Sequence, residues 1–223
     1  MAIDVWLLNC NAGEHVNHKV VQRLMIEMGL KSLVRPKKYR SFKGNVGEAA
    51  DNLLQRNFQA DGINQKWVTD VTEFKVAGQK LFLSPVMDLY NGEIIAFQTH
   101  RRPVLELVTK MLRKATRKLG KDDRPILHSD QGWHYRLPAY KLALTKKEIV
   151  QSMSRKGNCL DNAPIESFFA VLKTELFHLQ KFTSIDELEK AIKKYIRYYN
   201  YERIKVKLNG LSPVQYRTQA TGT

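Results

Sequence analysis

Asp70 stands inside a run of apolar and β-branched residues, Trp67-Val68-Thr69-Asp70-Val71-Thr72. Strands disfavour aspartate, and a buried carboxylate without a partner is costly, so this position calls for a cation or a hydrogen-bonding partner. Asp130 directly follows a second short apolar run, Pro125-Ile126-Leu127-His128-Ser129, and is expected at the carboxyl end of a strand, where open α/β sheets place ligands. Glu166 follows Pro164 in the expected first turn of a helix, beside an apolar stripe that turns it toward the sheet. Each residue alone has an ordinary explanation: a turn residue or helix cap for Asp130, a dipole partner for Glu166. Three carboxylates on strand and helix edges in a basic chain make a hard-oxygen site suited to magnesium or manganese. Two such ions about 4 Å apart can activate an attacking oxygen and stabilise a leaving one in an in-line phosphoryl displacement. That chemistry needs no protein nucleophile, and the chain has neither a Gly-rich phosphate loop nor a G-x-S-x-G elbow.

The elements that must position these residues follow from patterning. Trp67 to Val76, Leu81 to Tyr90 and Glu93 to Thr99 read as three strands, the last two joined by an Asn91-Gly92 turn whose residues tolerate positive φ. A helix is expected from Val104 to Leu119, with Leu105, Val108, Leu112 and Leu119 on one face. The strand before Asp130, a helix over 137–147 and a short strand from Ile149 to Ser152 come next. Arg155 to Asn162 is polar, contains Gly157 and reads as a mobile loop. Ile165, Phe168, Phe169, Leu172 and Leu176 form the stripe of the Glu166 helix. Ser184 and Glu187 suggest a capping box for a last long helix that buries Leu188, Ile192, Tyr195, Ile196 and Tyr199. Strands followed by alternating helices and strands predict one α/β domain with a mixed sheet. Upstream, Asn17 can cap a helix over 17–28 with Val20, Val21, Leu24, Met25 and Met28 as its stripe, and Gly29 stops it. The tail from Ile204 reads as basic and irregular.

The net charge is +15, from 37 basic and 22 acidic residues, which points to a polyanionic partner, nucleic acid before membrane. The linker residues Lys37, Lys38 and Arg40 belong to a basic run suited to phosphate contact. No stretch reaches the ~18 apolar residues of a transmembrane helix, and the start lacks the features of a signal peptide. Two cysteines, Cys10 and Cys159, cannot build a disulfide framework, so a reducing, cytoplasmic setting is expected. His15 and His18 have ligand-like spacing, but no Cys-x-x-Cys pair completes a zinc site.

Taken together, Trp67 to Thr72, His128-Ser129-Asp130-Gln131-Gly132, Ser152 to Phe169, Tyr198-Tyr199-Asn200-Tyr201-Glu202-Arg203 and Leu211-Ser212-Pro213-Val214-Gln215-Tyr216 resemble the DDE transposases of bacterial insertion sequences, in the group close to retroviral integrases. The 35 residues between Asp130 and Glu166 match that family's spacing. The resemblance, to the integrase-core, orfB-type product, runs from about residue 15 to 217. It implies a ribonuclease-H-like fold, a five-stranded mixed sheet flanked by helices. It implies Asp70, Asp130 and Glu166 as catalytic residues and ligands of two Mg2+ or Mn2+ ions, with water as nucleophile in cleavage and a DNA 3′-hydroxyl in joining. It implies double-stranded DNA, element ends and target, as partner, and a homo-oligomer on that DNA in the bacterial cytoplasm, associated with the nucleoid. Arg155 and Lys156 on the loop, and Lys173 two turns beyond Glu166, can track the DNA backbone. Asp161 and Asn162 are either site residues or capping and loop residues. Asp88 suits a strand-end role before the Asn91-Gly92 turn, and Trp67 suits the core.

The expected organisation is a 1–60 remnant of a DNA-binding region with its basic linker, a 61–203 integrase-like core and a 204–223 tail. The family carries a longer amino-terminal region, often with Tyr-Gly-Tyr-Arg-Arg upstream of this point. Codons such as TAT GGC TAT CGA CGT G, read one base later, spell Met-Ala-Ile-Asp-Val, the first five residues here. An out-of-frame start is therefore a hypothesis for Met1 to about Cys10, and the upstream DNA sequence decides it. The alternative to an enzyme is a truncated DNA-binding chain that competes with or inhibits a full-length transposase.

Overall fold

The computed structural model describes residues 17–30 and 48–221, apart from the side chains of 159, 220 and 221. The expected basic linker, with Lys37, Lys38 and Arg40, and the segment with Cys10 and His15 lie outside the described residues. Residues 48–193 form one compact unit, and 17–30 with 194–221 a second.

The first unit holds a mixed sheet. Its strands are β1 (Lys66–Thr69), β2 (Thr72–Val76), β3 (Gln79–Asp88), β4 (Ile94–His100), β5 (Ile126–Ser129) and β6 (Val150–Met153). β3 lies between β4 on one edge and β1 and β2 on the other; β1 pairs in parallel with β5, and β5 with β6. Among the described residues the sheet thus has six strands in five positions, because β1 and β2 are one strand broken in two. Trp67 pairs with Asp88 and Thr72 with Leu83 in a single continuous register, which would set Asp70 opposite Pro85.

The break has a local cause. The β2–β3 turn, Ala77-Gly78, has positive φ at both residues (48° and 74°), the geometry of a two-residue hairpin. Such a turn starts the ladder on a hydrogen-bonded pair at Val76 and Gln79, and every second pair repeats it. Asp70 and Pro85 fall on that repeat, and Pro85 has no N–H to give. The Thr69 hydroxyl donates to the Pro85 carbonyl instead, at 2.7 Å. The carboxylate identified from sequence therefore sits where the strand lets go. The later hairpin also differs from expectation: only Gly92 (φ 70°) uses the left-handed region, and Leu89 to Glu93 make a longer turn.

Helices α2 (Leu105–Thr116), α3 (Trp133–Arg136), α4 (Pro138–Thr145), α5 (Ala163–Leu172) and α6 (Ile185–Tyr201) follow the strands, α1 (His18–Glu27) precedes them and α7 (Pro213–Thr221) ends the chain. Val108, Met111 and Leu112 of α2, with Tyr140 and Leu144 of α4, pack on Trp67, Val86, Leu127 and Met153 in one buried cluster. The strand residues that alternate with these, Val68, Leu83 and Met87, are equally buried, so the sheet is covered on both faces, with α5 against β1. All five apolar positions expected along α5 and its continuation are buried, from Ile165 to Leu176. The expected capping box of α6 is displaced by one residue. Ser184 Oγ accepts from the Glu187 amide, but the Glu187 carboxylate reaches back to the amide and hydroxyl of Thr183.

In the second unit, the Asn17 side chain caps α1 through the Lys19 amide (2.9 Å), and Gly29 ends it at φ 68°. Of its five expected stripe residues Val21 and Met25 are buried, while Val20, Leu24 and Met28 are exposed. The segment after Ile204 is not irregular, as its basic composition suggests. Ser212 and Gln215 form a reciprocal capping box that starts α7 at Pro213.

Candidate active site

The parallel register carries the site. Val68 pairs with His128, so Asp70 and Asp130 occupy equivalent positions just past the carboxyl ends of neighbouring strands about 4.8 Å apart. The β5–β6 register adds Ser154 as the next residue in that row. Glu166, in the first turn of α5, lines the same cavity of about 480 Å³, together with Asp70, Asp130, Gln131, Trp133 and Asn162. All three carboxylates are partly exposed, so a ligand can reach them.

The two strand carboxylates are oriented by backbone. Asp70 Oδ1 accepts from the Val71 amide at 2.6 Å, and Asp130 Oδ1 from the Gly132 amide at 2.9 Å. A Cβ at position 132 would stand 2.8 Å from Asp130 Oδ1, so glycine is what allows this approach. Burial pushes the Asp130 carboxyl above its ordinary pKa, and the Gly132 amide opposes that rise. Burial also raises the Tyr135 phenol far above its ordinary value, and the charges of Asp70 and Asp130 add to the effect. A buried neutral phenol within reach of both carboxylate charges supplies no counter-charge, and a cation would. The donors are hard oxygens and fit magnesium or manganese. Among the described residues, no three His, Cys, Asp or Glu side chains converge closely enough to hold one ion. Asp70 and Asp130 are thus adjacent by strand register, and Glu166 shares their cavity without closing on them.

Behind Asp130, His128 is fully buried with its ring nitrogens 2.8 Å from Ser152 Oγ and 3.1 Å from Ser154 Oγ. Burial lowers its pKa to about 4, so it is neutral near pH 7. It ties β5 to β6 beneath the site.

Arg155 and Lys156 both line the cavity. Arg155 is engaged: its Nε and Nη2 each donate to Asp161 at 2.9 Å, and its amide adds a third bond. Arg56 and Asn52 donate to the same carboxylate. The loop expected to be mobile is therefore knotted to the segment before β1, and Asp161 serves the loop. Lys173 is not part of the cavity wall; its ammonium lies 5.3 Å from the Phe74 ring centroid. Asp88 accepts from the amides of Asn64 and Tyr90, the strand-end role expected for it, and Trp67 is in the core.

Sequence reasoning missed Trp133 and His134, whose rings stack at 3.8 Å on the cavity wall, and left Asn162 undecided. Their one signal was position, within a few residues of Asp130 and Glu166.

Two family profiles, both described as integrase core domain, match residues 60–159 and 166–220. A protein of Escherichia coli K12, named as transposase InsK for insertion sequence element IS150, is 54% identical over 207 residues, 93% of this chain and 73% of that protein. An uncharacterized transposase-like protein of Haemophilus influenzae is 54% identical over 205 residues, 92% of this chain and 94% of its own length. The chain belongs to the insertion-sequence transposases with an integrase core domain. This family consists of polynucleotidyl transferases of the DDE type. In fold, the HTLV-2 integrase catalytic core domain, solved in complex with magnesium, is similar at a TM-score of 0.56 and 19% identity, over 70% of this chain and 98% of that one. The transposase sheet is thus ribonuclease-H-like, as the resemblance implied. Among the described residues no helix is long and apolar enough to cross a membrane.

Proposed function

We propose that this chain catalyses metal-dependent strand cleavage and strand transfer at the ends of an insertion sequence, with Asp70, Asp130 and Glu166 as catalytic residues and ligands of two Mg2+ or Mn2+ ions. The observation that carries this reading is the β1–β5 register, which sets Asp70 beside Asp130 at the mouth of the cavity that Glu166 also lines. When bound, the ions would supply activation of the attacking oxygen and charge stabilisation at the phosphate. The chain's own residues orient the donors: the Val71 and Gly132 amides fix one oxygen each of Asp70 and Asp130. Lys156, and Arg155 beside it, sit where a DNA backbone would cross the cavity, while Lys173 and the linker residues Lys37, Lys38 and Arg40 contact phosphates farther along the duplex.

The substrate is double-stranded DNA, element ends and target, bound by a homo-oligomer in the bacterial cytoplasm on the nucleoid. Residues 61–203 act as the catalytic core, with 1–60 as a remnant of a DNA-binding region with its basic linker and 204–223 as a basic tail. The test is nicking of a labelled duplex carrying the terminal DNA of the element that encodes the chain. The expected result is nicking with Mg2+ or Mn2+, none with EDTA, and none in Asp130→Asn. DNA binding without metal-dependent turnover in the wild type overturns the proposal in favour of a chain that competes with or inhibits a full-length transposase.

A further inference from the structure

Among the described residues that line the cavity, Trp133 is the exposed aromatic: 36% of its surface is open, while Phe82, His134 and Tyr135 are buried. It stands three residues beyond Asp130, at the start of α3. The turn that carries it is pinned on both sides. The Gly132 amide donates to Asp130 Oδ1 at 2.9 Å, and the Tyr135 amide to the Gly132 carbonyl at 3.1 Å. The indole is braced as well. One face lies on the His134 ring, 3.8 Å between centroids with 28° between the planes. His134 meets Tyr135 edge-on at 6.3 Å, and Tyr135 meets Tyr140 at 5.4 Å in the core. A row of rings thus runs outward from the core and ends on an open indole. Burial lowers the His134 pKa, so its ring supports the indole without bringing a charge to the cavity near pH 7. A lone apolar side chain on a convex surface needs no explanation. This one is held rigid in the wall of a cavity of about 480 Å³, a volume that admits a small planar ligand.

We propose that the Trp133 indole stacks one base of the cleaved strand beside the scissile phosphate, and that this base leaves the duplex stack to lie there. This rests on the reading of the cavity as the phosphoryl-transfer site. Two features select a base as the occupant. The open surface is an uncharged aromatic face, which suits a planar base and not a phosphate. It also adjoins Asp130, so whatever lies on it is next to the reacting phosphate. Inside a duplex both faces of a base are covered by its neighbours, so contact with the indole requires that the base be unstacked. Stacking on the indole offsets part of that cost. Because every base has a π face, the contact fixes position and does not demand one base identity.

The experiment is single-turnover, Mg2+-dependent cleavage of the same labelled duplex by the full chain at subsaturating protein. A set of substrates carries one abasic site each, stepped along the cleaved strand on both sides of the scissile phosphate. Trp133→Ala is expected to slow cleavage of the intact duplex roughly 10- to 100-fold, the scale of one base–aromatic stack. Trp133→Phe, which keeps a ring, should stay within roughly 5-fold of the wild type. At one abasic position beside the scissile phosphate the ratio of wild-type to Trp133→Ala rates should fall to about one, because the stacking partner is gone, and it should keep its full value elsewhere. Trp133→Leu, which keeps apolar bulk and loses the ring, gives the same readout should the alanine variant not fold. A ratio that is the same at every abasic position, or wild-type cleavage by Trp133→Ala and Trp133→Leu, overturns the proposal and leaves Trp133 as a prop of the turn after Asp130. Asp130→Asn is run alongside. Full cleavage by that variant, or none by the wild type, brings down the reading of the cavity. The same abasic series read as dissociation constants in EDTA then decides the stack separately: it stands only if the Trp133→Ala deficit vanishes at one position.

Discussion

Among the described residues, five hydrogen bonds from three residues end on the carboxylate of Asp161, which is itself fully buried. Removing the charge leaves two guanidiniums facing a neutral amide, so Asp161→Asn is expected to cost about 2 kcal/mol at pH 7, less than a fully buried pair because both arginines are half exposed. The same bonds, led by the Arg155 guanidinium, hold the Asp161 carboxyl well below its usual range. Because the folded-state pKa is depressed, its contribution is fully present above the unfolded value near 3.8 and is lost as the pH falls below it. Urea denaturation at pH 7 and pH 3 checks both: the gap between wild type and Asp161→Asn should narrow at pH 3. At this scale Asp70 stood out because strands disfavour aspartate, whereas Asp130 and Glu166 have ordinary explanations alone and stood out through their spacing and motifs. Asn162 did not, since a buried amide oxygen without a partner is a fact of packing. The tie between the loop and the segment before β1 was equally hidden, because Asp161 and Arg56 lie 105 residues apart in the chain.

The break between β1 and β2 shows how an element can place a residue. A strand from Trp67 to Val76 was legible from its β-branched residues; its interruption was not, because it depends on a register set by the Ala77-Gly78 turn and on Pro85 in the partner strand. The turn itself lacks the usual Asn-Gly or Asp-Gly signal. Ala77 holds φ at 48°, a conformation that costs an alanine about 1 kcal/mol. Ala77→Asn is expected to raise stability by about 0.5–1 kcal/mol without shifting the register, since Asn-Gly suits both turn positions. Thermal and urea unfolding measure the gain; a loss of stability would contradict the assigned turn. The helix α7 was overlooked for a related reason: its capping residues Ser212 and Gln215 were visible, but the surrounding basic composition masked them.

For the whole molecule, the order of strands and helices was legible because the hydrophobic period changes from two to 3.6 residues along the chain. The excess of 15 positive charges already pointed to a polyanionic partner, nucleic acid before membrane. What composition could not supply is which acids among many form the site. Among the described residues, four carboxylates line the cavity: Asp70, Glu73, Asp130 and Glu166. Glu73 is paired with Lys80 at 3.0 Å and Lys75 at 3.8 Å, so its charge is already balanced. The decisive measurement is single-turnover, Mg2+-dependent cleavage of element-end DNA by Asp70→Asn, Asp130→Asn, Glu166→Gln and Glu73→Gln, each with its DNA affinity. The first three variants are expected to lose cleavage while still binding DNA, and Glu73→Gln to cleave as the wild type does. Wild-type cleavage by any of the first three would contradict the assignment of the triad.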